Sequence, residues 1–114
     1  MTSGPVVGME LVCDNAILGW RSFIGPTNVD KAIAEAPNSI RAHFGTKGSP
    51  RFNAVHGSDS PKSAERELNF FFGVSSPLTC SGVFRNSSLC IIKPHILQSG
   101  QLGNVVDQII QSGF

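Results

Sequence analysis

A chain of 114 residues is long enough for one small domain with a modest core. Its 40% hydrophobic and 15% charged residues give a globular composition and exclude intrinsic disorder as the general state. A net charge of +1 argues against a nucleic acid or a membrane surface held by bulk charge, and no apolar run is long enough to span a bilayer. The first residues carry neither a basic n-region nor an apolar h-region, so no signal peptide is read. Cys13, Cys80 and Cys90 are odd in number and lack metal-ligand spacing. They read as reduced thiols in a cytoplasmic chain, with no metal centre of protein ligands.

Residues 5–12, Pro-Val-Val-Gly-Met-Glu-Leu-Val, predict a buried strand. Asp14 or Asn15 then caps a helix running to about Phe23. Ala16, Ile17, Trp20, Phe23 and Ile24 recur at three- and four-residue steps and make one apolar face, which sends Trp20 to the core. Arg21 lies off that stripe near the helix end, as a solvated charge or a cation favoured by the helix dipole. Residues 25–52 form a long connection punctuated by Gly25, Pro26, Pro37, Gly45, Gly48 and Pro50. A short helix fits 29–36 and ends at Pro37. His43 reads as a solvent-facing loop residue, and loops this long are usually functional or mobile.

The stretch from Arg51 to Ser60 is the most informative. Asn53, Ala54 and Val55 read as a short strand, Gly57 and Ser58 as its closing turn. Ser60 and Pro61 read as a helix start, with serine as N-cap and proline at the first helical position. His56 therefore stands at a strand end beside a helix N-terminus, whose free N–H groups and partial positive charge suit phosphate. A neutral imidazole there is a candidate nucleophile for a phosphoryl group; a structural histidine at a turn is the alternative. The following helix reaches about Phe72, with Ala64, Leu68, Phe71 and Phe72 on one face and Glu67 off it. Gly73, Pro77, Gly82 and polar filler mark 73–87 as a linker. Residues 88–92 predict a short apolar strand stopped by Pro94. Leu102, Val105, Val106, Ile109 and Ile110 give an amphipathic helix over 101–112, closed by Gly113.

Asn53-x-x-His56-Gly57-Ser58-Asp59-Ser60, followed by Ser63-Ala64-Glu65-Arg66-Glu67, resembles the active-site signature of nucleoside diphosphate kinases. The likeness continues in Ser3-Gly4-Pro5-Val6-Val7, Gly25-Pro26-Thr27-Asn28 and Ser39-Ile40-Arg41, and so covers residues 1–72. A second match runs from Cys90-Ile91-Ile92-Lys93-Pro94-His95 through Gly103 to Phe114 and resembles the start of the same domain. Lys-Pro-His, where ordinary members have Lys-Pro-Asp, is similar to two-domain members of the family. The implied organisation is 1–72 as the C-terminal part of one kinase domain, 73–87 as linker, and 88–114 as the first strand and helix of a second. Met1 would match an internal methionine, so the first strand, first helices and second strand of the domain are expected to be lacking.

The resemblance implies an α+β, ferredoxin-like fold in incomplete form. If 88–92 inserts between strands 5–12 and 52–56, antiparallel to both, the result is a permuted three-stranded sheet that brings Lys93 towards His56. A partly unfolded fragment, or pairing between two chains, is the alternative. The implied reaction passes a phosphoryl group from ATP or another nucleoside triphosphate to a diphosphate through a phosphohistidine at His56, with Mg²⁺ on the nucleotide. Glu67 and Ser58 would support the imidazole; Arg21, Thr27, Arg41 and Lys93 would hold phosphates; Asn53 would contact the ribose. The sequence departs at Ala42-His43, where Gly-Asp is usual, and in extra residues between Arg41 and Asn53. It has no tyrosine, and the apolar pair that sandwiches the base belongs to the family's front half. The other implied role is a catalytically weak interaction module with microtubule-associated partners, at the cytoskeleton, centrosome or ciliary axoneme.

Overall fold

The computed structural model describes residues 3–73 and 87–114. Its organising element comes late in the chain. The strand Ser87–Ile92 is buried at all six positions, while two earlier strands, Val7–Val12 and Val55–Gly57, flank it. Numbered in chain order as β1 (7–12), β2 (55–57) and β3 (87–92), the sheet runs β1-β3-β2 and β3 is antiparallel to both neighbours. Val7 pairs with Ile92 and Val12 with Ser87, and His56 sits opposite Ile91. A strand hydrogen-bonded on both edges and covered on both faces loses its polar alternation, which is why Ser-Ser-Leu-Cys-Ile-Ile serves here.

The pleat gives the sheet two different faces. Cys90 and Ile92 point with Leu11 and Val55 into the main core, which also holds Trp20, Ile24, Ile40, Ile96, Val105 and Ile109. Those side chains come from α1 (Ala16–Ile24), α3 (Ile40–Phe44), α5 (Pro94–Gln98) and α6 (Leu102–Gln111). α2 (Val29–Glu35) packs against α3. On the other face lie Leu89 and Ile91, both buried, next to α4 (Pro61–Phe72). His56, opposite Ile91, shares that face and so meets α4.

The helices follow the sequence closely. α2 and α4 occupy the expected spans, Ser60 caps α4 by accepting from the Ser63 N–H, and Asn28 caps α2 through the Lys31 N–H. Asn15 sits at the N-cap of α1 in a left-handed conformation (φ 53°), but its side chain makes no cap hydrogen bond. Four expectations need correction. The strand at 5–12 is half-buried: Leu11 is its buried residue, because β1 lies on an edge. The strand near His56 begins two residues later, since Ala54 turns through φ 67° and Gly57 belongs to the strand. The 25–52 connection contains a second helix, α3, capped by Ser39. A further short helix, α5, follows β3, with Pro94 at its first turn. Both missed helices have five residues, too few for a hydrophobic period to be read. The linker expected at 73–87 lies outside the described residues except at its two ends.

Candidate active site

β2 carries His56 to the sheet face covered by α4, and helical spacing brings Glu67 over it, seven residues after Ser60. His56 Nε2 lies 3.1 Å from Glu67 Oε2. The same carboxylate oxygen accepts from Ser58 Oγ at 2.8 Å. A carboxylate only accepts, so Nε2 carries the proton and Nδ1 keeps its lone pair. The imidazole is fixed in tautomer and orientation, yet its side chain remains 35% exposed and open to a ligand.

Beside it is a cavity of about 240 Å³. Its lining includes Arg21, Arg41, Arg66 and Lys93 as cations, Asp59 and Glu67 as acids, and Thr27 and Asn53 as neutral polar groups. Every residue expected from the sequence to take part in a phosphate site is on this wall or, for Ser58, hydrogen-bonded to it. Lys93 follows directly on β3, and its backbone N–H bonds to Ala54 O at 2.9 Å, so the β2–β3 pairing delivers the ammonium to the His56 cavity. Its Nζ donates to Arg51 O at 3.1 Å and to Asn53 Oδ1. Asn53, buried, in turn donates Nδ2 to Thr27 O at 3.0 Å. Burial, then the charge of Arg41, lowers the Lys93 pKa.

Arg41 departs from expectation. It is not on an exposed loop but in α3, 5% exposed. One terminal nitrogen donates to Gly25 O at 2.7 Å and to Thr27 Oγ1 at 3.4 Å, the other to Val55 O at 3.2 Å. Its fork thus ties the α1–α2 turn to β2. Burial first, then Arg21, lowers its pKa to about 10. Arg21 and Thr27 are exposed at the mouth. Asp59 is exposed too, and a hydrogen bond from Ser63 is the main reason its carboxyl sits below the usual range.

Sequence reasoning gave Arg66, Asp59 and His95 no role. Arg66 stands three residues after Ser63 on one face of α4, the signal that places both on the cavity. His95 Nε2 accepts from the N–H of Ala54 at 3.3 Å, and its ring packs on Phe52 at 5.2 Å between centroids. It holds the bend that precedes His56. His43 is exposed, as expected.

The structure is thus an α+β domain with a carboxylate-oriented histidine on the wall of a cationic cavity built from an antiparallel sheet and helices. The family profile described as nucleoside diphosphate kinase matches residues 1–76. Nucleoside diphosphate kinase homolog 7 of Rattus norvegicus is 44% identical over 117 residues, covering the whole chain and 29% of that protein. Thioredoxin domain-containing protein 6 of Xenopus laevis is 39% identical over 114 residues, again the whole chain but 16% of the relative. Nucleoside diphosphate kinase of Deinococcus radiodurans is 55% identical over 73 residues, 64% of this chain and 49% of that one. This chain belongs to the nucleoside diphosphate kinase family. It spans less than a third of the length of homolog 7.

Proposed function

We propose that the chain performs phosphoryl transfer of the nucleoside diphosphate kinase type, through a phosphohistidine at His56. The observation that carries the reading is the His56–Glu67–Ser58 chain of hydrogen bonds on the cavity wall. Nδ1 of His56 attacks the terminal phosphorus of a nucleoside triphosphate, and the diphosphate leaves. Nε2 keeps its proton against Glu67, which stabilises the charged ring that forms. A second diphosphate then takes the group. Arg21, Lys93 and Thr27 hold phosphate oxygens at the mouth. Arg41, its fork held by carbonyls, shapes the wall and contributes charge. Asn53, its oxygen held by Lys93 and its nitrogen by Thr27 O, stays part of the wall.

Mg²⁺ belongs to the nucleotide in this reading. Among the described residues no group of three His, Cys, Asp or Glu side chains could hold a metal ion. The donor set therefore fits an ion held chiefly by phosphate oxygens, with Asp59 as the exposed carboxylate at hand. Such an ion neutralises the polyphosphate.

The same proposal assigns 1–72 and 88–114 to two successive kinase domains. The Deinococcus enzyme matches 64% of the chain, whereas homolog 7 matches all of it, which supports a chain of two pieces. β3 would then stand where the family's first strand stands, in a permuted order. The test is incubation with ATP labelled at its terminal phosphate. Acid-labile label should appear on the chain, persist in His43→Ala and His95→Ala, and vanish in His56→Ala. Label retained in His56→Ala overturns the assignment.

A further inference from the structure

The cavity beside His56 is small and charged. Its volume of about 240 Å³ falls below the ~300–1,000 Å³ of ordinary small-molecule sites. Four cations, Arg21, Arg41, Arg66 and Lys93, face two acids, Asp59 and Glu67. Among the described lining residues Val55 is the apolar side chain, and the one ring is the His56 imidazole, which is tied to Glu67. Asn53, the amide at hand for a sugar, has its nitrogen on Thr27 O and its oxygen on Lys93. What this wall presents to a ligand is charge and N–H donors, the chemistry of phosphate recognition.

We infer that the cavity recognises the phosphate chain itself, so that linear inorganic tripolyphosphate binds as ATP does and phosphorylates His56. The donor role rests on the phosphohistidine reading; the recognition does not. The step balances without a further reactant. The Nδ1 lone pair forms the N–P bond to a terminal phosphorus. The bond from that phosphorus to the bridging oxygen breaks, and its electron pair leaves on pyrophosphate. Nε2 keeps its proton against Glu67, so the phosphorylated ring is an imidazolium facing a carboxylate.

Calorimetric titration of the full chain with Mg²⁺-saturated ATP, tripolyphosphate and adenosine tests the recognition. The expected result is ATP and tripolyphosphate within about threefold of each other, with no heat from adenosine. Arg66→Ala, a change at an exposed side chain, should weaken both phosphate ligands by the same factor, about three- to tenfold. ATP tighter than tripolyphosphate by about tenfold or more overturns the inference, as does an Arg66→Ala effect confined to ATP. Labelled tripolyphosphate tests the donor role: label on the chain but not on His56→Ala supports it. Label from ATP alone overturns the inference and leaves the kinase reading standing. Label from neither overturns the kinase reading and the donor role together.

Discussion

Replacing Arg41 separates the phosphate clamp that the family resemblance implies from the brace that the structure shows. A phosphate clamp would be dispensable for folding; the structure makes this side chain a brace. It is buried and donates to Gly25 O and Val55 O, two carbonyls far apart in sequence. Arg41→Ala strips both acceptors of their donor; a buried acceptor left alone, as Val55 O would be, costs ~1–3 kcal/mol, and the part-buried Gly25 O costs less. The guanidinium's own burial is unfavourable, as its lowered pKa of about 10 records, and that term is relieved by the change. A net loss of roughly 2–4 kcal/mol follows from these opposing terms. For a domain of this size, ~1 kcal/mol moves Tm by about 4–8 °C, so thermal unfolding by circular dichroism should fall by roughly 10–25 °C. Arg21→Ala is the paired control: exposed at the mouth, it should leave Tm within about 2 °C and weaken nucleotide binding. Arg41→Ala with a wild-type melt and weakened binding would refute the brace and restore the clamp.

Three further outcomes follow from the same contacts. Burial and Lys93 lower the His95 pKa, so below pH 6.5 the unfolded chain binds more protons at this site than the folded one. Its contribution to stability is thus full above pH 6.5 and declines on acidification; urea melts from pH 7.5 to 5 should lose part of their slope in His95→Gln, and an unchanged slope would refute the linkage. Gly57→Ala would set a methyl 2.4 Å from Trp20 Cδ1 and Nε1, within the core, so denaturant unfolding should show a loss of about 1–3 kcal/mol, with Trp20 fluorescence altered. Wild-type stability there would mean that the ring has room to move. Cys90 is buried with its pKa pushed up to about 12, so a thiol reagent at pH 8 should modify Cys13 before Cys90, which reacts only on unfolding; equal rates at these two thiols would show that β3 opens readily.

Sequence patterning located the helices best where they are amphipathic and capped. Ser60, Pro61 and Asn28 are local signals, and local physics suffices for them. The His56–Glu67 contact was legible through the family resemblance, since helical spacing alone put Glu67 off the apolar face as a surface charge. Arg41 was not, because its partners Gly25 and Val55 are backbone groups, which leave no mark on the side-chain sequence. The edge position of β1 is likewise a property of the sheet: Val7, Met9 and Leu11 read as buried residues wherever the strand lies. His95 stayed hidden for a related reason. Its partner is the N–H of Ala54, exposed to it by a left-handed turn that alanine rarely adopts.

The central strand links stability to the site more tightly than the residue roles alone suggest. β1 and β2 do not touch one another in the sheet; each pairs with β3. β2 carries His56, and β3 carries Lys93 at its end, joined to Ala54 by the backbone bond that extends the pairing. A slip of β3 by one residue would turn Cys90 and Ile92 away from the core. The same slip would break the Lys93–Ala54 bond and carry the ammonium off the cavity. The register that buries the core is therefore the register that assembles the cation wall, and selection for one enforces the other.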